Sequence, residues 1–209
     1  MTKSRFSPCY EAYPSEGGHV EFAPRNDLEF RLLQFAYKYI ENSNNIENLR
    51  AKAKLTRVSH ERLGAGPAVP LIYEFLKEEY PEMERILEKG DSAKKPDELV
   101  SHDIISAGMK LKDPLCRKVV ELFADIFAAE AGDFALKTLP YGGVYLIGGV
   151  TKGISDYIVH EKQWINTFYE KGRQANVMRR FPVMLVNPDI ELGILGAEEC
   201  AYRLLNSFK

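Results

Sequence analysis

The sequence of 209 residues is poor in cysteine and contains no Cys-x-x-Cys pair. Its three cysteines, Cys9, Cys116 and Cys200, lie far apart along the chain, a spacing that indicates neither a zinc site nor a disulfide framework. No apolar run approaches the length of a membrane span, and the N-terminal residues lack the apolar core of a signal peptide. These absences predict a protein of the reducing cytoplasm with no membrane partner.

An excess of basic charge is also absent. The chain has 28 Lys and Arg against 30 Asp and Glu, which gives a formal net charge of −2. Proteins that bind nucleic acids usually carry a basic patch or stripe. Basic clusters do occur at residues 50–54 and 179–180, but nearby acidic residues balance them, as on a solvated surface. We therefore expect no nucleic-acid partner.

Two continuous apolar runs predict strands. Residues 143–147 and 182–186 are short, apolar and rich in β-branched side chains, which is typical of strands buried on both faces of a sheet. Val20 and Phe22 alternate with polar residues before Pro24, so a further short strand is expected there. Helical patterns separate these segments, and the whole predicts a layered, helix-rich α/β domain.

The longest helix is predicted to begin at Asp113, with Pro114 in its first turn, and to run for about six turns. Its expected core face comprises Val119, Val120, Phe123, Ile126, Phe127, Phe134 and Ala135. Other helices are predicted after Asn26 or Asp27, after Pro67, around residues 157–169 and over residues 194–205. Residues 42–48 and 81–98 are polar or charged and are predicted to be loops of unassigned function, with a loop tip at residues 89–92.

The segment Glu16-Gly17-Gly18-His19 could bind a small ligand. Two glycines let the backbone turn tightly, so the carboxylate and the imidazole could face the same molecule. Both groups hydrogen-bond well to hydroxyls. The alternative is an ordinary turn before a strand, with a surface acid and a partly buried histidine.

A second candidate segment runs from Val58 to Pro67. Glu61 could supply another carboxylate to the same pocket, or it could simply pair with Arg62 on a helix surface. His60 is expected to be exposed, because its neighbours are charged or polar. Gly64 and Gly66 could let the backbone approach a ligand or could merely form a loop.

Paired glycines also follow the predicted strand 143–147. Gly148 and Gly149 would bring bare backbone to the carboxyl edge of a sheet, where ligands bind in open α/β folds. The segment is neither a Walker A loop nor a dinucleotide fingerprint. Close packing is the expected role of Gly193 and Gly196 in the last helix.

Together, and in this order, these segments resemble the bacterial-type ATP-dependent glucokinase family of the actin-like ATPase superfamily. Residues 16–24 are similar to the family's Glu-Gly-Gly-His-Val-Asp-Phe-Ala-Pro, with Glu21 in place of Asp. Residues 58–62 and the following glycines resemble its Val-Ser-x-Glu-Arg and Ser-Gly-Pro-Gly segment, although the glycine and proline order differs. Residues 142–149 resemble its Gly-Gly-Val-Phe-Ile-Ala-Gly-Gly.

The resemblance implies most of the large C-terminal lobe of an actin-like, ribonuclease H-like fold over residues 16–209, after an irregular segment 1–15. A sugar-binding segment would span residues 16–67 and a nucleotide-facing segment about residues 142–197. Glu16, His19 and Glu61 would bind glucose, and Gly148 and Gly149 would border ATP, with Gly66 nearby. Mg2+ would be held through the nucleotide phosphates, with no metal-binding residues in this chain. A homodimer is also typical of the family.

Parts of the family pattern do not occur in this sequence. Family members carry, upstream of the Glu-Gly-Gly-His segment, two phosphate loops and an Asn-Asp pair whose aspartate is the general base. The resemblance therefore implies that the catalytic residues belong to a separate N-terminal lobe and that residues 1–209 alone lack kinase activity. A non-catalytic sugar-binding or regulatory module of the same superfamily is the alternative.

Overall fold

The computed structural model describes residues 12–42, 57–89, 99–187 and 189–207. Helices dominate these residues. In chain order, the elements are a 3-10 turn (Gly17–His19), α1 (Asp27–Asn42), α2 (His60–Gly64), α3 (Ala68–Glu79), α4 (Ser101–Ser106) with a following π-helical turn (Ala107–Leu111), α5 (Pro114–Thr138), β1 (Val144–Leu146), α6 (Gly149–Gly153), α7 (Ser155–His160), α8 (Lys162–Tyr169), a second 3-10 turn (Gly172–Gln174), α9 (Ala175–Met178), β2 (Val183–Leu185) and α10 (Leu192–Ser207).

Helix α5 lies at the centre of the fold and begins where the sequence predicts. Asp113 is its N-cap: Oδ1 accepts a hydrogen bond from the Cys116 N–H at 2.9 Å, and Pro114 stands in the first turn. The helix packs against α3, α8 and α2. Burying one long helix on several sides gives the domain a single continuous core.

Most of the core face predicted for α5 is confirmed. Val119, Val120, Phe123, Ile126 and Ala135 are buried, and Phe127 is partly buried against the core. The prediction is wrong for Phe134, which is 42% exposed. Its ring lies beside Gly17 near the end of α5, where the described residues cover only part of the helix.

Helices α1 and α3 also form where their patterns predict. Asn26 Oδ1 accepts a hydrogen bond from the Glu29 N–H at 2.9 Å, and Leu32, Ala36 and Ile40 then face the core. In α3 the predicted apolar positions are all buried, namely Val69, Leu71, Ile72, Phe75 and Leu76. The predicted loop 42–48 lies outside the described residues except for Asn42, and so does the loop tip after Lys89.

Strands β1 and β2 pair in parallel, with Val144 opposite Val183 and Leu146 opposite Leu185. The crossover between them contains α6 to α9, which confirms the predicted alternation of strands and helices. The prediction that both faces of β1 are buried is wrong. Leu146 is buried, whereas Tyr145 is 60% and Ile147 57% exposed, because the described residues cover only one face of this two-stranded sheet.

Helix α10 confirms the predicted final helix but packs differently from the prediction. Its large apolar side chains are exposed, including Ile194 at 67% and Leu205 at 70%. Gly193 and Gly196 have no atom of the described structure within 4 Å of where a Cβ would stand, so close packing is wrong for both. Among the helices of the described ranges, none is both long enough and apolar enough to cross a bilayer.

Candidate functional site

A backbone bridge brings the two predicted ligand-binding segments together. Glu21 and Ser59 form an isolated antiparallel bridge. On either side of it, the Phe22 N–H donates to Val58 O at 2.9 Å and the His60 N–H donates to Val20 O at 3.0 Å. The prediction of a short strand at Val20 and Phe22 is wrong: the structure has an isolated bridge at Glu21 in its place. This bridge places the turn at Gly17–His19 beside the start of α2.

The imidazole of His19 lies between two carboxylates. Its Nδ1 is 3.1 Å from Oε2 of Glu61, and its Nε2 is 3.5 Å from Oε2 of Glu16. Arg57 donates a hydrogen bond to the His19 carbonyl oxygen, which fixes the end of the turn. The structure thus brings together the three residues that the sequence singled out, and Glu61 faces His19.

This cluster, which comprises Glu16, His19 and Glu61, is open to solvent. The side chains of His19 and Glu61 are each 54% exposed, and that of Glu16 is 89% exposed. A Cβ on Gly18 would make ordinary van der Waals contact with Cβ of Glu61, at 3.7 Å, so the turn lies against α2. Two acceptors flanking one imidazole form a set of groups suited to a polyhydroxylated ligand.

His60 does not lie where the sequence predicts. The expectation of an exposed side chain is wrong, since His60 is only 5% exposed. It stands on the face of α2 that packs against α5, together with the fully buried Leu63. Its Nε2 is 3.0 Å from Oε2 of Glu130, which belongs to α5.

Glu130 is a residue that the sequence pattern did not indicate. A single glutamate in a long helix normally belongs to the solvated face, so no local signal marks it. It approaches His60 only because α2 and α5 pack together. With Gly17 and Gly18, it also lines a cavity of about 430 Å3 beneath the turn.

One group of side chains has the composition of a cation site. The ligand atoms of His60, Glu130 and Asp133 lie within 4.8 Å of one another. However, Asp133 Oδ1 is already 2.7 Å from the ammonium of Lys171, which also donates to the carbonyl oxygen of Ala129 at 2.9 Å. A lysine therefore neutralises one of the two carboxylates of the group.

The Gly148-Gly149 turn lies at the carboxyl end of β1. Gly148 adopts φ of +106°, which side chains other than hydrogen rarely tolerate, and Gly149 begins α6. A cavity of about 280 Å3 opens here between the strand ends, α6 and the start of α10. Both glycines line it, together with Lys152 and Asn187.

Asn187 and Lys152 were not predicted as site residues. Asn187 follows the second parallel strand directly, so its position at the carboxyl edge of the sheet was a usable signal. Gly66 is not among the described residues that line this cavity. It instead approaches α6, where a Cβ would stand 3.0 Å from Cγ2 of Val150, and its carbonyl oxygen accepts a 2.7 Å hydrogen bond from Ser101.

Known sequences of one family are similar to this chain. The sequence model of the family described as "Glucokinase" matches residues 5–204. The chain belongs to the glucokinase family. It is 37% identical over 206 residues to a glucokinase of Trichormus variabilis, 34% identical over 202 residues to one of Synechocystis and 30% identical over 186 residues to one of Neisseria gonorrhoeae.

The chain spans about half the length of the curated glucokinases that it matches. The alignment with the Trichormus variabilis protein covers 93% of this chain but 55% of that relative, and the Synechocystis alignment covers 92% and 52%. The family assignment therefore applies to a portion equivalent to about half of a glucokinase.

Solved glucokinase structures have the same fold. A glucokinase from an Antarctic psychrotroph superposes with a TM-score of 0.67 at 24% identity, over 90% of this chain and 50% of that one. A glucokinase from Balamuthia mandrillaris in complex with glucose gives a TM-score of 0.64 at 15% identity, over 85% and 44%. The α/β fold expected of an actin-like kinase portion is confirmed.

Proposed function

We propose that this chain is the sugar-binding half of a glucokinase that transfers the γ-phosphoryl group of Mg-ATP to the 6-hydroxyl of glucose. The observation that carries the proposal is the position of His19, whose two ring nitrogens face Glu16 and Glu61. Curated glucokinases at 30–37% identity support this choice of activity.

In the proposed complex, glucose hydroxyls replace the contacts between the imidazole and the two carboxylates. Glu16 and Glu61 accept hydrogen bonds from hydroxyls, while His19 donates from one ring nitrogen and accepts at the other. Hydrogen bonds to charged groups are stronger than neutral ones, so the pair of carboxylates would supply much of the affinity. Their role is to hold the sugar in position for attack.

ATP would occupy the cavity beside Gly148 and Gly149. The bare backbone at these residues allows close approach of a nucleotide, and Lys152 could contact its phosphates. Mg2+ would be held through the nucleotide phosphates. Gly66 would act indirectly, through its contact with Val150 in α6.

The catalytic base and the phosphate loops would come from a separate N-terminal half. Phosphoryl transfer requires a base at the attacking hydroxyl and positive groups at the γ-phosphate. The exposed apolar side chains of Tyr145, Ile147, Ile194 and Leu205 are consistent with a further part of the enzyme covering them. We propose the cytoplasm as its location, in keeping with the unpaired Cys116 and Cys200.

A two-part assay tests this proposal. The purified chain is titrated calorimetrically with glucose, first alone and then with the N-terminal half of the Trichormus variabilis relative supplied in trans. Glucose-dependent ADP formation is measured in both samples. Turnover only with the added half is the expected result.

Two other results have clear meanings. Glucose binding without turnover, even with the N-terminal half present, would favour a non-catalytic sugar-binding module. No glucose binding in either sample would contradict the proposed function. Turnover by residues 1–209 alone at ordinary enzyme rates would contradict the assignment of the catalytic groups to another segment.

A further inference from the structure

A buried histidine, His60, and a partly buried glutamate, Glu130, form a close pair beside the cluster of Glu16, His19 and Glu61. Nε2 of His60 is 3.0 Å from Oε2 of Glu130, and the His60 side chain is 6% exposed. The contact is not aligned as a hydrogen bond, and neither Nδ1 of His60 nor Oε2 of Glu130 has a hydrogen-bond partner among the described residues. Buried polar atoms of this kind usually have a partner, so this pair requires an explanation.

The pair is joined to both parts of the cluster. His60 immediately precedes Glu61 in α2, and its backbone N–H donates to the carbonyl oxygen of Val20, the residue after His19. Glu130 lines the cavity beneath Gly17 and Gly18. A displacement of the His60 ring would therefore move Glu61 and the end of the turn relative to each other.

The surroundings allow the ring little freedom. The edge of the His60 ring packs against Phe22, with centroids 5.4 Å apart and planes at 76°. Leu63, one turn further along α2, is fully buried. Glu130 is the acidic residue that contacts the imidazole, at 3.0 Å, and the apolar contacts alone do not select an orientation of the ring nitrogens.

A metal ion is a less suitable occupant of this position. The second carboxylate of the group, that of Asp133, is paired with Lys171, whose side chain is only 9% exposed. A cation bound by His60, Glu130 and Asp133 would have to stand close to this ammonium. The electrostatic cost of two neighbouring buried cations favours the pair without a metal.

We propose that Glu130 is a positioning residue of the sugar site: through the buried ring of His60 it fixes the start of α2 and thereby the direction in which Glu61 faces His19. This inference rests on the proposed function for its consequence in sugar binding. The link from Glu130 through His60 to Glu61 is inferred from the contacts of these residues and does not depend on the proposed function. Glu130 itself does not touch the sugar.

The experiment uses the full chain with its histidine rings labelled with 15N. Glu130→Gln keeps the size of the side chain and removes its charge. His60→Phe keeps a ring and removes its nitrogens. The matched control is Glu121→Gln, another glutamate of α5, which pairs with Arg117. The ring resonances of His19 are recorded without sugar, and the glucose affinity is measured by calorimetry.

We expect Glu130→Gln and His60→Phe each to shift the His19 ring resonances in the sugar-free chain and to weaken glucose binding about three- to tenfold. The double variant should be no weaker than the weaker single variant, since both substitutions break the same pair. Glu121→Gln should change neither quantity. Should Glu130→Gln fail to fold, His60→Phe provides the same test from the other side of the pair.

Unchanged His19 resonances in a folded Glu130 or His60 variant would overturn the proposal. So would stoichiometric binding of Zn2+ that shifts the His60 resonances, because the group would then be a metal site. If the unsubstituted chain binds no glucose, alone or with the N-terminal half, the proposed function fails. The His19 resonances of the sugar-free chain still test the role of Glu130 in that case.

Discussion

His19 Nδ1 lies 3.1 Å from Oε2 of Glu61, although helix α1 lies between the two residues in the chain. The contact joins the glycine turn to α2 and leaves both side chains half exposed. A group that is held in place yet accessible can exchange its internal contact for one with a ligand. The contact between His19 and Glu61 therefore gives the candidate site a carboxylate and an imidazole that a ligand can reach.

Replacing Glu61 with glutamine should weaken glucose binding by about tenfold or more, because a charge-assisted hydrogen bond contributes roughly 1.5–3 kcal/mol. The free energy of unfolding should change by less than about 0.5 kcal/mol, since the side chain is half exposed. Calorimetric titration and urea unfolding measure the two quantities.

Glu82→Gln is the control for this substitution, as Glu82 is exposed and follows α3 away from the cluster. It should leave the glucose affinity unchanged. If the Glu61→Gln and Glu82→Gln chains bind glucose with equal affinity, Glu61 does not contribute to glucose binding.

Alanine substitutions at Gly148 and Gly149 should differ in their effect on the free energy of unfolding. Neither new Cβ would meet an atom of the described structure within 4 Å, so the two positions differ in backbone conformation alone. Gly148 has φ of +106°, and an alanine there should cost about 1–2 kcal/mol of the free energy of unfolding. Gly149→Ala, in the first turn of α6, should be neutral or slightly stabilising. Urea unfolding of both variants checks this, and equal stabilities would contradict it.

Glu88 should make the stability depend on pH. Its Oε1 accepts hydrogen bonds from Lys77 Nζ at 2.7 Å and from the Tyr73 hydroxyl at 2.9 Å. Burial by itself would raise the pKa of this carboxyl, but the bonds from Lys77 and Tyr73 outweigh it and lower the pKa. The folded pKa lies below the unfolded one, so the stabilisation is present above the ordinary carboxyl range near ~4.3 and is lost as the pH falls through the folded pKa.

Glu88→Gln should therefore lower the free energy of unfolding by about 1–2 kcal/mol at pH 7 and by much less near pH ~3. The control is Glu84→Gln, which removes an exposed ion pair with Lys89 and should cost less than about 0.5 kcal/mol at either pH. Urea unfolding at the two pH values measures both variants. A penalty for Glu88→Gln that does not depend on pH would show that its charge is irrelevant.

Asp113→Ala should be among the more destabilising substitutions in the chain. Asp113 is fully buried; Oδ1 accepts from the Cys116 N–H, and Oδ2 accepts from the Leu87 N–H at 2.8 Å. Alanine removes the cap of α5 and leaves a second amide without its acceptor, a loss of about 2–4 kcal/mol. Asp113→Asn, which keeps one acceptor oxygen, should lose less. Urea unfolding checks the order, and an alanine variant within about 0.5 kcal/mol of the parent would refute it.

The sequence by itself determined the features that depend on neighbouring residues. The start of α5 at Asp113 and Pro114 is set by a side chain that caps the amides just beyond it. The turn at Gly17–His19 lies where the glycine pair predicts it, although neither Gly17 nor Gly18 has a positive φ. The apolar periodicity of α3 was equally readable, because a helix repeats its faces every few residues.

Only the tertiary structure decided which side chains are buried and which charged groups meet. His60 has polar neighbours in the sequence but lies against α5, while Tyr145, in an apolar run, is exposed. Glu130 gave no local signal and became relevant only through its contact with His60. Burial and ion pairing depend on elements distant in the chain, and local propensity carries no information about which of these elements will pack together.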